Sequence, residues 1–321
     1  MAVVATGFFD GVHLGHRLII DTLLSSARER GEQSVIVTFW PHPRTVLQND
    51  ARSLRLLTSL QEKKALLLSL GVDRIEVLDF SREFSRLTAE QYLRDYVAGR
   101  FGGSAIVLGY DNRFGSDRLS PAGIASLASS LGIDVISTAA LPMDSRRAGS
   151  YPEDSNLLRM AGASCIISST KIREALGRGD VQAAETMLGY RYGLHGVVVA
   201  GNQLGRTIGF PTANMQLYEP LKSVPANGVY LVEVETLGSH FFGMTNIGVK
   251  PTVSGAGVRT IETHIFDFDE LIYGLDIKIR FIKKIRDERR FASLEDLRVQ
   301  LVADKTLSEG ILPLSDSLKL L

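Results

Sequence analysis

Two histidines stand three positions apart in the stretch ATGFFDGVHLGHRLI, between a glycine-bearing turn and an apolar run with helical spacing. We expect a strand over residues 3–5 to lead through Gly7 and Gly11 into a helix that begins near His13. The free N–H groups and the positive dipole end of such a helix favour phosphate. His13 and His16 would project from one face of the first turn and stabilise a phosphate that gains charge during nucleotidyl transfer. A capped helix with two surface histidines explains the pattern equally well, and two imidazoles without a third ligand make a poor zinc site.

Small hydroxyl residues introduce a second, basic helix in the stretch ISSTKIREAL. Ser168, Ser169 and Thr170 are good N-cap residues, which is the ordinary structural explanation. Hydroxyl groups, free N–H groups and the guanidinium of Arg173 at one helix start also suit phosphate oxygens. Two anion-suited helix starts in one domain fit a nucleoside triphosphate bound between them.

A glycine-rich stretch in the second half, GNQLGRTIGFPTANM, could hold another phosphate chain. It lacks the spacing and the Gly-Lys-Ser/Thr ending of a Walker A loop. Its glycines nevertheless let the backbone approach a ligand, and Arg206 supplies charge. Thr212 and Asn214 offer two oxygens suited to Mg²⁺, which takes its other ligands from water and phosphate. As isolated residues of a β-rich turn they also have a purely structural explanation.

Glu262 lies in the alternating run RTIETHIF, where it shares a strand face with Thr260 and His264. On this pattern alone, a solvated glutamate on a sheet surface is the ordinary explanation.

Composition limits the function classes that are open to this chain. Its 321 residues, 45% hydrophobic and 22% charged, are typical of a globular protein with two cores. Lys+Arg and Asp+Glu number 36 each, so we expect neither a nucleic acid nor an anionic membrane as partner. Cys165 is the single cysteine, which excludes an intramolecular disulfide and a cysteine-built zinc site. The sequence shows no apolar run long enough for a membrane span and no signal-peptide core, and we predict a cytoplasmic protein.

The elements that must position these residues differ between the two halves of the chain. In the first half, strand-like runs alternate with helical patterns in a βαβαβαβαβ order: AVVAT, SVIVTF, RIEVLDF, SAIVLG and DVIST. Their continuous hydrophobicity predicts an α/β domain with a parallel sheet covered on both faces. After two short helices, five strand-like runs predict a small antiparallel barrel with a terminal helix: LHGVVVAG, GVYLVEVET, HFFGMTNIGV, RTIETHIFDF and LDIKIRFIKKI. We place the domain boundary near Leu188, giving domains 1–187 and 188–321.

Four motifs of the first half together resemble the adenylyltransferase half of bacterial bifunctional riboflavin kinase/FAD synthetases: GFFDGVHLGH, PHP at 41–43, LGYDNRFG at 108–115 and ISSTKIR. The resemblance implies a Rossmann-like nucleotidyltransferase fold in which His13, His16 and Arg173 carry catalysis. It also implies a nucleotide-binding set and a flavin-binding set: Gly7, Phe8, Asp10, Gly11, Asp111, Ser169 and Thr170 for the nucleotide, and Pro41, His42 and Pro43 for the flavin. Asn112 stands where relatives commonly carry an aromatic residue, which bears on local packing and not on the chemistry.

The second half resembles the riboflavin kinase module through its GRTIGFPTAN segment, followed in the family's order by GVY, NIG, PT and IETHIFDFDELIYG. This resemblance implies that Thr212 and Asn214 bind Mg²⁺ and that Glu262 is the base for the 5′-hydroxyl of riboflavin. Further residues are implied in ligand binding: Gly201, Gly205, Arg206, Gly209 and Pro211 for the nucleotide, and Arg286 and Phe291, with Glu288 between them, for closure over the flavin.

The two resemblances imply a bifunctional enzyme that phosphorylates riboflavin to FMN and adenylylates FMN to FAD. ATP would be the co-substrate of both steps, Mg²⁺ the cofactor, and the flavins the substrates and products. We expect a monomer or a weak homo-oligomer. Two alternatives stay open: an adenylyl- or cytidylyltransferase of narrower scope whose barrel only binds an acceptor, and a non-catalytic flavin or nucleotide sensor.

Overall fold

The chain folds into two compact units, Met1–Ser169 and Thr170–Leu321. A computed structural model describes residues 1–47, 54–109, 115–138, 167–201, 203–250 and 258–312. The predicted boundary at residue 188 lies further along the chain than the change of unit, because two helices before it cluster with the second unit. The extent of the two catalytic domains therefore stays a prediction.

Unit 1 is built on a five-stranded parallel sheet. Its strands are β1 (Ala2–Thr6), β2 (Gln33–Trp40), β3 (Arg74–Asp79), β4 (Gly103–Leu108) and β5 (Asp134–Ser137), in the order β3-β2-β1-β4-β5. Every described pairing in this sheet is parallel. The order reverses between β1 and β4, and ligands of such sheets bind beyond the carboxyl ends of the strands at this point.

Helices lie between the strands of unit 1, and several begin at side-chain caps. They are α1 (Leu14–Arg30), α2 (Pro43–Leu47), α3 (Leu60–Ser69), α4 (Ala89–Gln91) and α5 (Pro121–Ser130), with a 3₁₀ turn at Phe84–Arg86. Ser59 and Glu62 form a reciprocal capping box at α3, and Gly31 ends α1 with a left-handed φ of 65°. The short α4 continues directly as a π-helix, Tyr92–Arg100.

The central strand β1 is buried on both faces, which explains its continuous hydrophobicity. Ala2 and Val4 pack into a cluster on one face of the sheet, and Val3 and Ala5 pack into a second cluster on the other. Because both faces are covered, the sheet holds the turn after β1 in a fixed position.

Unit 2 is a closed antiparallel barrel preceded by α6 (Ser169–Arg178) and α7 (Val181–Leu188). Its strands, in the order β10-β7-β6-β11-β8-β9, are β6 (Gly193–Val199), β7 (Ala213–Leu217), β8 (Gly228–Thr236), β9 (Ser239–Lys250), β10 (Val258–Ile265) and β11 (Asp276–Arg286). A one-turn helix α8 (Leu204–Thr207) precedes β7, and α9 (Leu294–Ile311) follows β11. Apolar residues from α9 pack with those of β8 and β9 in one cluster.

The barrel has six strands where the sequence pattern predicted five. The additional strand is β7, which begins at the end of the stretch interpreted as phosphate-binding and continues two residues beyond it. Its alternation is real, since Ala213 and Met215 are buried while Asn214 and Gln216 are more exposed. The glycine and proline residues that precede this short strand obscured its alternating pattern in the sequence.

Replacing a buried residue of the sheet should destabilise unit 1 selectively. Ile106→Ala removes a fully buried side chain from β4, and we expect a loss of about 2–5 kcal/mol in the free energy of unfolding. Trp40 is the single tryptophan and lies in unit 1, so urea unfolding followed by its fluorescence measures this loss. Leu68→Ala, at a side chain on α3 that is 54% exposed, is the matched control and should change stability little. Equal stability of the two variants would contradict the described core.

Candidate active sites

The start of α1 is organised by the two histidines. His13 is the N-cap, and its Nδ1 atom accepts a hydrogen bond from the backbone N–H of His16 at 3.3 Å. The two imidazole rings stack with centroids 3.6 Å apart and an interplanar angle of 14°. The prediction that the helix begins near His13 is confirmed, since α1 starts at Leu14 and His13 is its cap. Because Nδ1 accepts this hydrogen bond, the neutral ring of His13 has its proton on Nε2 and can donate a hydrogen bond there.

His16 occupies an apolar and aromatic setting that opposes its protonation. Its ring lies between His13 and the ring of Phe9, whose centroid is 5.3 Å away. The Nδ1 atom is buried and has no hydrogen-bond partner among the residues that the structure describes. Burial, followed by the nearby His13 and Lys63, holds the pKa of His16 well below its usual value. At neutral pH the ring is therefore uncharged.

The space around Gly15 explains why the H-x-G-H pattern has a glycine at its third position. A Cβ atom there would lie 3.2 Å from Nδ1 of His13 and 3.5 Å from the carbonyl oxygen of Ile167. Ser169 Oγ donates to the carbonyl of Asp10 at 3.0 Å, so Ser169 lies beside the turn after β1.

The turn between β1 and α1 is strained and held by internal hydrogen bonds. Phe9 and Val12 have positive φ angles of 52° and 39°, which non-glycine residues rarely adopt. The buried carboxylate of Asp10 accepts hydrogen bonds from the N–H groups of Leu57 and Thr58, at 2.9 to 3.1 Å. Asp10 therefore orders the turn. Its predicted role in nucleotide binding would be indirect, through the conformation of this turn.

The remaining residues predicted in the turn have clear local partners. Gly11 has a φ of 82°, and its N–H donates to Thr58 Oγ1 at 3.0 Å, while the Gly7 N–H donates to the carbonyl of Val37. The ring of Phe8 meets the ring of His42 edge to face, with centroids 4.1 Å apart. The structure thus brings the PHP segment, in which Pro43 begins α2 after His42 and Pro41, next to the turn. Asp111 and Asn112 lie outside the described residues.

Thr170 and Arg173 belong to unit 2, where they lie in the first turns of α6. Thr170 is exposed, and Arg173 is half-buried between the buried residues Ile172 and Ala175 along the helix. Their role toward phosphate stays a prediction.

A row of polar side chains crosses three neighbouring strands of the barrel. Glu262 on β10 pairs directly with Asn214 on β7 and with Asn246 on β9. Directly paired residues of antiparallel strands place their side chains on the same face, with Cβ atoms about 5 Å apart. Ile261, Thr263 and Ile265 are buried on the opposite face, as the alternation predicted. The register therefore brings the predicted metal ligand Asn214 beside the predicted base Glu262.

Gly201 is required by the same row. A Cβ atom at this position would overlap the side-chain amide of Asn214. A Cβ atom on Gly205 would likewise overlap the carbonyl of Phe210, and Gly209 has a φ of 82°. These three glycines shape the loop that leads into β7.

A cavity of about 260 Å³ opens beside this loop. Its lining includes Arg206, Pro211 and Thr212 of the predicted nucleotide and metal set. Polar and charged residues of the segment after β10 form another wall, among them Asp269 and Glu270. His264 Nδ1 donates to the carbonyl of Pro211 at 2.9 Å and so ties β10 to the P-T-A-N segment.

Arg286 is paired with the terminal helix. Its guanidinium contacts the buried carboxylate of Asp304 at 2.8 Å and lies 5.6 Å from the ring of Phe291. Glu288 accepts a hydrogen bond from Asn227 at 2.9 Å, and its carboxylate occupies the space where a Cβ atom of Gly248 would lie. The predicted flavin-side residues are thus anchored to α9 and to the end of β9.

Two family models match the chain in the order of its two units. FAD synthetase matches residues 1–151 and riboflavin kinase matches residues 188–312. The bifunctional riboflavin kinase/FMN adenylyltransferase of Bacillus subtilis is 35% identical over 95% of this chain and 90% of its own length. The enzyme of the same description from Escherichia coli K12 is 36% identical over 94% and 90%.

This chain belongs to the family of bifunctional riboflavin kinase/FMN adenylyltransferases. The resemblance inferred from the motifs is confirmed, and so are the two fold classes.

A solved structure with the same fold carries a different title. A chain from Streptococcus pneumoniae described as a macrolide-efflux protein superposes with a TM-score of 0.82 at 31% identity, covering 96% of this chain and 93% of that one. Within the described part of the present chain, no helix has the length and apolar character needed to cross a membrane.

Several residues of these sites were not predicted from the sequence. Lys63, Thr58 and Asp304 are buried polar residues that hold functional segments, and Asn246 completes the row around Glu262. Lys63 had a detectable signal, since it lies four residues before Leu67 on the buried face of α3. The others depend on long-range contacts that no local pattern reveals.

The pair between Arg286 and Asp304 should contribute strongly to the stability of unit 2. Asp304→Ala leaves a largely buried guanidinium without its carboxylate, and we expect a loss of about 3–5 kcal/mol in unfolding free energy. Glu295→Ala removes an exposed carboxylate of the same helix from its pair with Arg298 and should change stability little. Circular dichroism should detect the loss, while Trp40 fluorescence should remain near wild type. A similar cost for both substitutions would contradict a structural role for the buried pair.

Proposed function

We propose that the barrel unit phosphorylates riboflavin to FMN with ATP and that the parallel-sheet unit adenylylates FMN to FAD. The observation that carries this proposal is the presence of two separate polar constellations, one in each unit. The first is the stacked histidine pair at the start of α1, and the second is the row of Asn214, Glu262 and Asn246.

Phosphorylation of riboflavin needs a base because its 5′-hydroxyl must lose a proton as it attacks the γ-phosphorus. We assign this role to Glu262, whose carboxylate accepts the proton while the O–P bond forms and ADP leaves. Arg206, together with the backbone of the glycine loop, holds the phosphates of ATP beside the cavity.

The residues beside the cavity fit a magnesium ion. Thr212 and Asn214 provide a hydroxyl and an amide oxygen, and no carboxylate-histidine cluster of three competes for a metal within the described ranges. Bound there with ATP, Mg²⁺ would neutralise phosphate charge. Gly201 leaves the space in which the Asn214 amide is oriented.

Adenylylation of FMN requires no base, since the attacking phosphate oxygen already carries negative charge. It attacks the α-phosphorus of ATP directly, and pyrophosphate leaves without a covalent enzyme intermediate. His13 donates from Nε2 and His16 stabilises the developing charge beside it, while Ser169 holds the phosphates. We also assign Thr170 and Arg173, in the first turns of α6, to phosphate binding. Pro41, His42 and Pro43 line the flavin side of this unit, and Arg286 and Phe291 that of the barrel.

We further propose a cytoplasmic location, where ATP is abundant, and a monomer or weak homo-oligomer. A transferase of narrower scope and a non-catalytic sensor are the competing functions. Neither needs the Asn214–Glu262 register and the histidine pair together.

Incubation with riboflavin, ATP and Mg²⁺, followed by chromatographic separation of flavins, tests all three functions. The bifunctional enzyme forms FMN and then FAD, with release of pyrophosphate. A narrower transferase forms FAD only from added FMN, and a sensor forms neither product.

His16→Ala should abolish FAD formation and retain FMN formation, because only the parallel-sheet unit loses its charge-stabilising imidazole. We expect the rate of adenylyl transfer to fall on the order of 100-fold or more. His240→Ala, at an exposed histidine of β9, is the control and should leave both rates unchanged. Loss of both activities in folded His16→Ala protein would show that the two steps are not divided between the units.

Glu262→Gln should have the opposite effect, since glutamine keeps the shape of the side chain but cannot take a proton at neutral pH. We expect FMN formation to fall about 100- to 10,000-fold. FAD formation from supplied FMN is the internal control, measured on the same preparation. Normal FMN formation by this variant would remove Glu262 from its role as the base.

A further inference from the structure

Lys63 is a lysine without solvent exposure that lies behind the turn between β1 and α1. Its ammonium donates hydrogen bonds to the carbonyl of Phe8 at 2.7 Å and to Thr38 Oγ1 at 3.2 Å. It also lies 3.7 Å from the centroid of the Phe8 ring. Thr38 Oγ1 donates to the same carbonyl at 3.1 Å, so the three groups form a closed triangle.

The three groups of the triangle stabilise a turn whose backbone angles are unfavourable for its residues. Phe9 and Val12 both have positive φ angles, and each such residue costs on the order of 1–3 kcal/mol. The carbonyl of Phe8 lies directly before this strained stretch. Its bonds to Lys63 and Thr38 oppose relaxation of the turn from one end, as the bonds of Asp10 do from the middle.

Packing alone does not explain why a charged side chain occupies position 63. An apolar side chain of similar length would avoid the cost of removing an ammonium from water. The titratable groups that interact electrostatically with Lys63 are Asp10 in the turn and His16 on α1. Burial lowers the pKa of Lys63 to about 8, against the opposing effect of the Asp10 carboxylate. The charge of Lys63 in turn contributes to the low pKa of His16, after burial and His13.

We propose that Lys63 is a positioning residue for adenylyl transfer, whose ammonium holds the Phe8 carbonyl and thereby orients the turn and the histidine pair toward nucleotide phosphate. The inference rests on the proposed adenylyltransferase function of this unit. Lys63 itself is sealed from solvent and acts through the turn, without touching the substrate.

Lys63→Met removes both the charge and the hydrogen bonds, while Lys64→Met removes the charge of the exposed neighbouring lysine on the same helix. We expect kcat/KM for ATP in FAD formation to fall on the order of 100-fold in Lys63→Met, with FMN formation unchanged. Lys64→Met should match wild type in both reactions. Lys63→Gln keeps a donor without the charge and should fall between the two.

The titration of His16 separates a positioning role from a general loss of stability. NMR of protein with ¹³C-labelled histidine, assigned with His16→Gln, measures its pKa directly. Removing a nearby positive charge makes protonation easier, so the pKa of His16 should rise in Lys63→Met and Lys63→Gln. It should stay unchanged in Lys64→Met.

Wild-type FAD formation and an unchanged His16 titration in Lys63→Met would overturn the inference. If Lys63→Met does not fold, Thr38→Val breaks the same triangle with almost no change of shape. It should raise the KM for ATP in FAD formation without affecting FMN formation, and an unchanged KM would overturn the inference. Failure of the wild-type protein to form FAD would instead contradict the proposed function, and the two failures are therefore distinct.

Discussion

Neutralising the charge of phosphate groups with local donors is the constraint on which both units depend. With 36 basic and 36 acidic residues, the chain has no overall field that concentrates an anion at its surface. Each proposed pocket must therefore rely on backbone amides, helix starts and a few oriented side chains. Such donors are effective only when their geometry is fixed before the ligand arrives.

The two units fix that geometry by different physical means. In unit 1 a sheet buried on both faces ends in a strained turn, and buried polar residues hold it: Asp10 from within and Lys63 from α3. In unit 2 the strand register fixes the geometry, because strand pairing places Asn214, Glu262 and Asn246 side by side. A shift of β10 by one residue would turn Glu262 toward the buried face.

Local sequence patterns predicted much of this architecture. The features that they did not predict depend on long-range contacts. The α1 helix, the parallel strands and the face of Glu262 followed from periodicity and capping, which are properties of neighbouring residues. Strand β7 was missed because five residues after Gly-Phe-Pro-Thr leave too short an alternation. The start of α1 near His13 was predicted, but the use of His13 as the cap was not, since histidine is an unusual N-cap residue. Lys63 and Asp304 acquire their roles from contacts 55 and 18 residues away in the chain, with Phe8 and Arg286.

The difference between the two proposed reactions accounts for the difference between the two sites. A hydroxyl nucleophile must give up a proton, so the barrel needs a carboxylate beside the phosphate ligands, and Glu262 stands next to Asn214. A phosphate nucleophile is already ionised, and a carboxylate aimed at it would repel it. In unit 1 the buried carboxylate of Asp10 is accordingly saturated by backbone amides, and the low pKa of His16 leaves neutral imidazole at the helix start. The chemistry of each nucleophile thus predicts which unit places a carboxylate beside its phosphate ligands and which unit provides only hydrogen-bond donors.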